Sequence, residues 1–189
     1  GDGWLDLFVG NYVVFGPDTK PQLCDNSGIL SSCGPRFYKP ERSHLFRGGP
    51  GGKFVDVTRI WKVHLTEGKC LGVAVADFDG SGRPSLAIAN DEVPGDLLVN
   101  QGTRFDLQGK NSGTAYDDSG NVHGGMGVDW GDYNNDGKFD LFVATFQNES
   151  KNIYHNDGGG LFTDKSAMLG LSPAQPAVTF GAKWFDADN

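Results

Sequence analysis

Residues 132–140 carry side-chain oxygens at a regular spacing. In this segment, DYNNDGKFD, positions 1, 3, 5 and 9 are Asp or Asn, and position 6 is a glycine that permits a sharp turn. Calcium takes six to eight hard oxygen ligands, so a short loop with this spacing can wrap around the ion. We predict a Ca²⁺ site in this segment, the Asp132 loop; the alternative is an Asx-rich turn without an ion. The predicted ligands are Asp132, Asn134, Asp136, Asp140 and the main-chain carbonyl of Lys138.

A second loop of the same length, the Asp77 loop (residues 77–85), has fewer carboxylates. Serines stand at positions 5 and 9, where the first loop has Asp, and an arginine at position 7 adds a positive charge nearby. Because calcium affinity depends on the number of charged ligands, we expect weaker binding here. The candidate residues are Asp77, Asp79, Ser81, Arg83 and Ser85.

Two further pairs of aspartates look like halves of the same loop. Asp2 and Asp6 match positions 5 and 9, and Asp186 and Asp188 match positions 1 and 3. We expect sequence outside residues 1–189 to complete both half-sites, so that the chain is a sector of a larger protein.

The loops belong to an internal repeat. Gly72, Gly127 and Gly181 each precede an apolar segment and an Asp-containing loop, at spacings of 55 and 54 residues. Between the loops lies a second recurring unit, which reads as strand, Gly-rich turn and strand. This second unit covers residues 44–58, 96–109 and 152–166.

The repeat predicts an all-β fold made of four-stranded propeller blades. Its strands are apolar at nearly every position, as expected for a blade covered on both faces; the alternative is another Gly-rich β-sandwich. The predicted units are a partial blade at 1–58 with an insertion at about 11–43, blades at 71–109 and 126–166, and the start of a further blade at 178–189.

These motifs resemble the FG-GAP/VCBS repeats of integrin-α-like β-propellers, in which such loops bind Ca²⁺ between the first two strands of a blade. CGPR at 33–36, HGGMGVDWGDYNNDG at 123–137 and NDGGGLFTD at 156–164 are similar to bacterial members of the cartilage acidic protein 1 (ASPIC/UnbV) family. The resemblance implies an extracytoplasmic, seven-bladed propeller with an ASPIC/UnbV domain downstream. Ser81 and Ser85 depart from the family's loop pattern.

Three cysteines leave one unpaired. Cys24 and Cys33 lie nine residues apart in an irregular stretch, and we predict a disulfide between them; the alternative is three free thiols. A disulfide implies an oxidising compartment. Cys70 precedes an apolar strand, and we expect a small buried side chain there.

Composition argues against two classes of function, nucleic-acid binding and membrane spanning. The formal charge of −8 over 189 residues argues against a nucleic-acid partner, and no apolar run reaches the length of a transmembrane segment. The sequence shows no nucleophile–base pair, so we expect no catalytic residues and no enzyme activity. We predict a secreted or cell-surface Ca²⁺-binding module for protein interaction or adhesion. Its long insertion is expected to contact a neighbouring blade or an unidentified protein partner; the alternative is a loop that only caps its own blade. The alternatives are a structural subunit of a larger cell-surface or membrane complex and an accessory domain of a secreted enzyme.

Overall fold

Short apolar segments separated by Gly- and Asp-rich turns form the strands of this protein. The structure is a computed structural model that describes residues 2–171 and 176–188. The first strands are β1 (Leu7–Val9), β2 (Leu23–Asn26), β3 (Ile29–Ser32), β4 (His44–Gly49) and β5 (Lys53–Asp56). The next are β6 (Cys70–Ala76), β7 (Ser85–Asn90), β8 (Asp96–Asn100) and β9 (Phe105–Leu107). The last are β10 (Gly125–Gly131), β11 (Asp140–Thr145), β12 (Asn152–Gly158) and β13 (Leu161–Asp164).

Helical structure is limited to single turns. The α-helix α1 spans Gly109–Ser112, and 3₁₀ turns occupy Pro35–Phe37, Pro50–Gly52 and Val63–Leu65. In the part of the chain that the structure describes, no helix has the length and apolar character to cross a bilayer.

The strands form four antiparallel sheets, which confirms the predicted all-β class. The first sheet has the order β1-β4-β5, the second β6-β7-β8-β9 and the third β10-β11-β12-β13, and β2 and β3 pair as a separate insertion hairpin. In the second and third sheets each strand pairs with the next along the chain. The loop between the first two strands and the hairpin between the last two therefore lie at the same end of each sheet.

The middle strands explain the continuous apolar runs. All six residues of β7 are buried. Successive side chains of a strand point to opposite faces. Leu86 and Ile88 pack in a core with Leu45 of the first sheet, whereas Ala87 and Ala89 pack in a core with Trp130 of the third. Strand β7 of the second sheet is therefore covered on both faces by the neighbouring sheets.

Strand β6 departs from that expectation. Its Val73 and Val75 are exposed, while Ala74 between them is buried in the core shared with the third sheet. The first sheet has three strands, and none of the described residues adds a strand beyond β1. Strand β6 is therefore covered by β10 on the face that carries Ala74, whereas the opposite face, which carries Val73 and Val75, is exposed.

The core between the second and third sheets contains an aromatic cluster. The Phe78 ring lies parallel to the Trp130 ring, with centroids 5.3 Å apart, and Phe162 contacts both at a tilt. Small alanines on the second sheet pack in the same core as these large rings, which allows the two sheets to approach closely.

Residues 178–188 follow the third sheet without strand pairing, and Asn189 lies outside the described residues. The main-chain amide of Trp184 donates to the Asp129 side chain at 2.8 Å, and Thr179 donates through its hydroxyl to the Thr145 carbonyl at 2.8 Å. The segment is thus held against β10 and β11 largely by side-chain bonds. The predicted start of a fourth blade stays a prediction.

Candidate metal centre

The Asp132 loop is folded by its own side chains. Asp132 accepts hydrogen bonds from the amides of Asp136 at 3.1 Å and Gly137 at 2.8 Å, and Asn134 accepts from the same Asp136 amide at 3.1 Å. Asn135 and Gly137 have positive φ angles of 59° and 83°, and glycine adopts such angles without steric cost. The turn therefore brings the side-chain oxygens of positions 1 and 3 to one point.

Position 5 of this loop is held by a neighbouring lysine. Asp136 accepts from the Lys138 amide and from its ammonium group, both at 2.9 Å. These hydrogen bonds hold the pKa of Asp136 below its usual range. Because both side chains are partly exposed, the ion pair stabilises the loop only weakly, and a divalent cation could displace Lys138 from the carboxylate.

Position 9 has a structural role as well. Asp140 is fully buried, and its Oδ1 accepts from the amide of Asn156 at 2.8 Å. The same oxygen lies 3.0 Å from Nδ1 of His155, and Oδ2 accepts from the Tyr133 amide at 3.4 Å. Asp140 thus ties the loop to strand β12 through Oδ1, while a lone pair on Oδ2 stays available.

The ninth-position contact recurs in all three sheets. Asp6 Oδ1 accepts from the Gly48 amide at 3.0 Å, and Ser85 Oγ accepts from the Asn100 amide at 3.1 Å. The interpretation of Ser85 as a simple loss of a ligand is therefore incomplete, since the hydroxyl preserves the bond between loop and third strand. The sequence offered a signal for this contact, because the ninth loop position and the third strand recur together in each repeat.

The Asp77 loop has a similar turn and unused oxygens. Asp77 Oδ2 accepts from the Gly82 amide at 2.8 Å, and Asp79 Oδ1 accepts from the Ser81 amide at 3.0 Å. Asp77 Oδ1 and Ser81 Oγ are shielded from solvent and make no hydrogen bond. Buried oxygens without a partner are costly, and a bound cation would satisfy them.

Arg83, at position 7 of this loop, directs its side chain toward the neighbouring strand β8. Its Nε donates to the Asn100 carbonyl at 2.8 Å, so the guanidinium is fixed on the third strand of the second sheet. Burial acts to raise the pKa of Asp79, but the hydrogen bond from the Ser81 amide and the charge of Arg83 oppose it, and the net pKa is lowered. The ligand expected from position 7 is the main-chain carbonyl of Arg83, not its guanidinium.

The predicted half-sites are held by local contacts. Asp2 accepts from the Trp4 amide at 3.1 Å and pairs with Arg47 at 2.9 Å. Asp186 accepts from the Asp188 amide at 3.3 Å, as expected for positions 1 and 3 of a turn.

The donor chemistry of both complete loops fits a hard cation. Among residues 2–171 and 176–188, no three His, Cys, Asp or Glu side chains are grouped so that they could hold a metal ion. The three carboxylates of the Asp132 loop are therefore not gathered at one point in this structure, and only the side-chain oxygens of positions 1 and 3 converge. The convergence at positions 1 and 3 and the unpartnered oxygens of the Asp77 loop support the fit, and the calcium sites stay a prediction.

The two loops face each other across a cleft of about 680 Å³. Its lining includes Asp77 and Asp79 of one loop, Lys138 and Phe139 of the other, and Asn156 between them. Sequence reasoning did not identify His155 or Asn156, which contact the loop from strand β12. No sequence motif marks either position as part of a metal-binding loop.

The insertion contains the predicted disulfide. Cys24 and Cys33 are bonded, which confirms the pairing. Cys70 is a free thiol buried between the first and second sheets, and burial raises its pKa to about 11. At the base of the insertion, the Tyr12 hydroxyl donates to Asp91 and the Tyr12 carbonyl accepts from the Lys69 amide at 3.0 Å. The insertion therefore contacts the second sheet. Contact with a neighbouring blade was one of the two contacts predicted for it.

Residues 132–189 match the family described as FG-GAP-like repeat. The match includes the whole Asp132 loop and covers 58 of the 189 residues, so that this segment is similar to such a repeat. No curated protein matches the chain.

Proposed function

We propose that this chain is part of an extracytoplasmic β-propeller that binds calcium, performs no catalysis and acts as a protein-interaction module. The observation that carries the proposal is the Asp132 loop, whose turn gathers the oxygens of Asp132 and Asn134 at one amide. This loop is also the start of the segment that matches the FG-GAP-like repeat.

The packing of the sheets supports a propeller. The second and third sheets each contain four antiparallel strands in chain order, and they pack face to face through a shared apolar core. The first sheet packs in the same way on the other face of the second. Successive four-stranded sheets arranged around an axis are the architecture of propeller blades. The three sheets would thus be one partial and two complete blades.

Charge supports calcium as the ligand. The Asp132 loop holds three carboxylates and two side-chain amide oxygens, with Lys138 as its only cation. Hard oxygens with net negative charge suit Ca²⁺. When bound, the ion would supply the cross-link that holds the loop against strand β12. The residues that would hold it are Asp132, Asn134, Asp136, Asp140 and the carbonyl of Lys138.

The insertion hairpin supports an interaction role. Leu23, Ile29 and Leu30 are 63%, 70% and 69% exposed on strands β2 and β3. The disulfide restrains this hairpin, and a restrained loop loses less conformational entropy on binding a partner. The disulfide and the repeat match also support a location outside the cytoplasm.

Calorimetric titration of Ca²⁺ into the full chain tests the calcium assignment. Asp132→Asn keeps an acceptor for one of the two loop amides and removes one charge, so we expect the heat of binding at this loop to be lost or strongly reduced. Asp118→Asn is the matched control, because Asp118 is exposed and belongs to neither loop. Binding that is equally strong in both variants would contradict the proposal.

Thermal melting separates metal binding from turn formation. Calcium binds the native state and should raise the melting temperature of the wild type. Asp136→Ala should lower the melting temperature more in Ca²⁺ than in chelator. An equal loss in both buffers would mean that Asp136 acts only as a turn former.

Deletion of residues 18–38 tests the interaction role. The shortened chain should keep its calcium binding, since neither complete loop contacts the deleted segment, but it should no longer capture its extracellular partner. If the shortened chain still captured the partner, the recognition surface would lie outside residues 18–38.

A further inference from the structure

One buried asparagine touches both loops. Asn156 lies on strand β12 and is 2% exposed. Its side-chain Nδ2 donates to the carbonyls of Phe139 at 3.0 Å and Phe78 at 3.1 Å, and its Oδ1 accepts from the Gly158 amide at 3.0 Å. Every hydrogen-bonding group of the side-chain amide is therefore engaged except one oxygen lone pair.

The two carbonyls belong to different sheets. Phe139 is position 8 of the Asp132 loop, and Phe78 is position 2 of the Asp77 loop. The main-chain amide of Asn156 also donates to Asp140, the ninth-position ligand. A single residue thus fixes the end of one loop and the beginning of the next.

The equivalent asparagine of the second sheet shows which of these bonds is special. Asn100 donates through Nδ2 to Pro84, position 8 of its own loop, and accepts from the Gly102 amide. Its main-chain amide donates to Ser85, position 9. In the described residues Asn100 makes no bond to another sheet, so the bond from Asn156 to Phe78 is an addition to a shared pattern.

Aromatic packing makes the link rigid. The Phe78 ring is stacked on Trp130, which lies two residues before Asp132. The Phe78 main chain is therefore held from one side by the ring stack and from the other by Asn156. A displacement of the Asp132 loop cannot leave the Asp77 loop unaffected without breaking one of these contacts.

We propose that Asn156 is a positioning residue that couples the two loops, so that calcium bound to one loop raises the calcium affinity of the other. The inference rests on the proposed calcium function. Binding at the Asp132 loop orders Phe139 and Asp140, which fixes the Asn156 side chain and hence the Phe78 carbonyl and the turn at Asp77. Coupling of this kind is reciprocal.

A double-mutant cycle in the full chain tests the coupling. The measured quantity is the calcium dissociation constant of the Asp77 loop, obtained by calorimetry with and without Asp132→Asn. In the wild-type background we expect Asp132→Asn to weaken the Asp77 loop by at least about fivefold. In an Asn156→Ala background the same substitution should change it by less than about twofold.

Asn152→Ala is the matched control for this cycle. Asn152 lies on the same strand and is equally buried, but its Nδ2 donates to Asp164 within its own sheet. The coupling should persist in this variant. Should Asn156→Ala fail to fold, Asn156→Gly replaces it, because Gly48 occupies the equivalent position in the first sheet.

Hydrogen exchange supplies a readout that needs no metal. In chelator, Asn156→Ala should speed exchange of the Ser81 and Gly82 amides, which lie in the other sheet, and Asn152→Ala should not. Unchanged exchange, or coupling that survives Asn156→Ala, would overturn the inference. A wild-type chain that binds no calcium would refute the proposed function instead, and the exchange result alone would then decide whether Asn156 links the loops.

Discussion

A Cβ atom placed on Gly72 would lie 2.9 Å from the Cα atom of Gly127. These two residues lie at equivalent positions near the start of β6 and β10, and a Cβ on Gly127 would in turn collide with the carbonyl of Phe180. The first two of the three recurring glycines, Gly72 and Gly127, are therefore points of close main-chain approach between successive segments, whereas a Cβ on Gly181 would have open space. Only hydrogen fits between the main chains there.

Gly72→Ala should consequently destabilise the protein. The new methyl group meets main-chain atoms that cannot rotate away, so the two sheets must separate or shift. Overpacking of this kind costs about 1–3 kcal/mol. Chemical denaturation measures the loss, and Gly16→Ala is the control because Gly16 has open space around it and no positive φ. Equal stabilities for the two variants would show that the contact between the glycines does not limit packing.

Ser85→Asp should strengthen calcium binding at the Asp77 loop. The substitution adds a carboxylate at position 9, and charged ligands raise calcium affinity. Asp140 shows that a buried carboxylate at the equivalent position can also accept the third-strand amide. We expect a gain of about tenfold or more in calorimetric affinity.

Ser119→Asp is the control for that experiment. Ser119 is exposed and lies in neither loop, so its replacement adds the same charge without adding a ligand. If both variants gained equally, general electrostatic attraction would explain the effect and position 9 would have no specific role.

Removal of the disulfide should loosen the insertion hairpin more than the protein as a whole. In the chain-entropy model a loop of about ten residues is worth roughly 2–3 kcal/mol. The hairpin contributes no residue to the two main cores, so a Cys24→Ser/Cys33→Ser double variant should lose this free energy mainly in local opening. Limited proteolysis within residues 22–33 should accelerate while the melting temperature changes little.

Cys70→Ser is the comparison variant, and we expect the opposite pattern from it: a lower melting temperature without faster proteolysis of the hairpin. Cys70 packs in the core between the first and second sheets, so a hydroxyl there should lower the melting temperature and leave proteolysis of the hairpin unchanged. A large fall in melting temperature for the double variant would mean that the hairpin unfolds together with the sheets.

The strands and turns were predictable because their signals are local. Apolar runs, glycines and Asp-rich turns appear in each repeat at the same spacing, and the disulfide pairs two cysteines within one insertion. The bond from Asn156 to Phe78 was not predictable, since its acceptor is a main-chain carbonyl 78 residues away and carries no side-chain signature. The same reason explains why Ser85 looked like a missing ligand, as its partner is the main-chain amide of Asn100.

Asp96 provides a prediction about pH. This carboxylate is almost fully buried and accepts from the Glu67 amide and from Asn90 Nδ2, both at 2.9 Å. Burial raises its pKa to about 6; the Glu67 charge acts in the same direction, whereas the hydrogen bonds and Arg42 oppose it. The native state therefore keeps a proton on Asp96 at pH values where the unfolded chain has lost it.

The sign of the effect on stability follows from that difference. Between about pH 4 and pH 6 the native state binds more protons at Asp96 than the unfolded state does, so this group's contribution to the free energy of unfolding falls as pH rises. The contribution is fully present below pH 4 and is lost above pH 6. Asp96→Asn keeps an oxygen for both donors and cannot ionise, so relative to wild type it should gain roughly 2–3 kcal/mol between pH 4 and pH 7. Denaturant unfolding across this range measures the gain, and Asp118→Asn, at an exposed position, is the control. If the difference in stability between Asp96→Asn and wild type stayed constant with pH, Asp96 would titrate alike in the native and unfolded states.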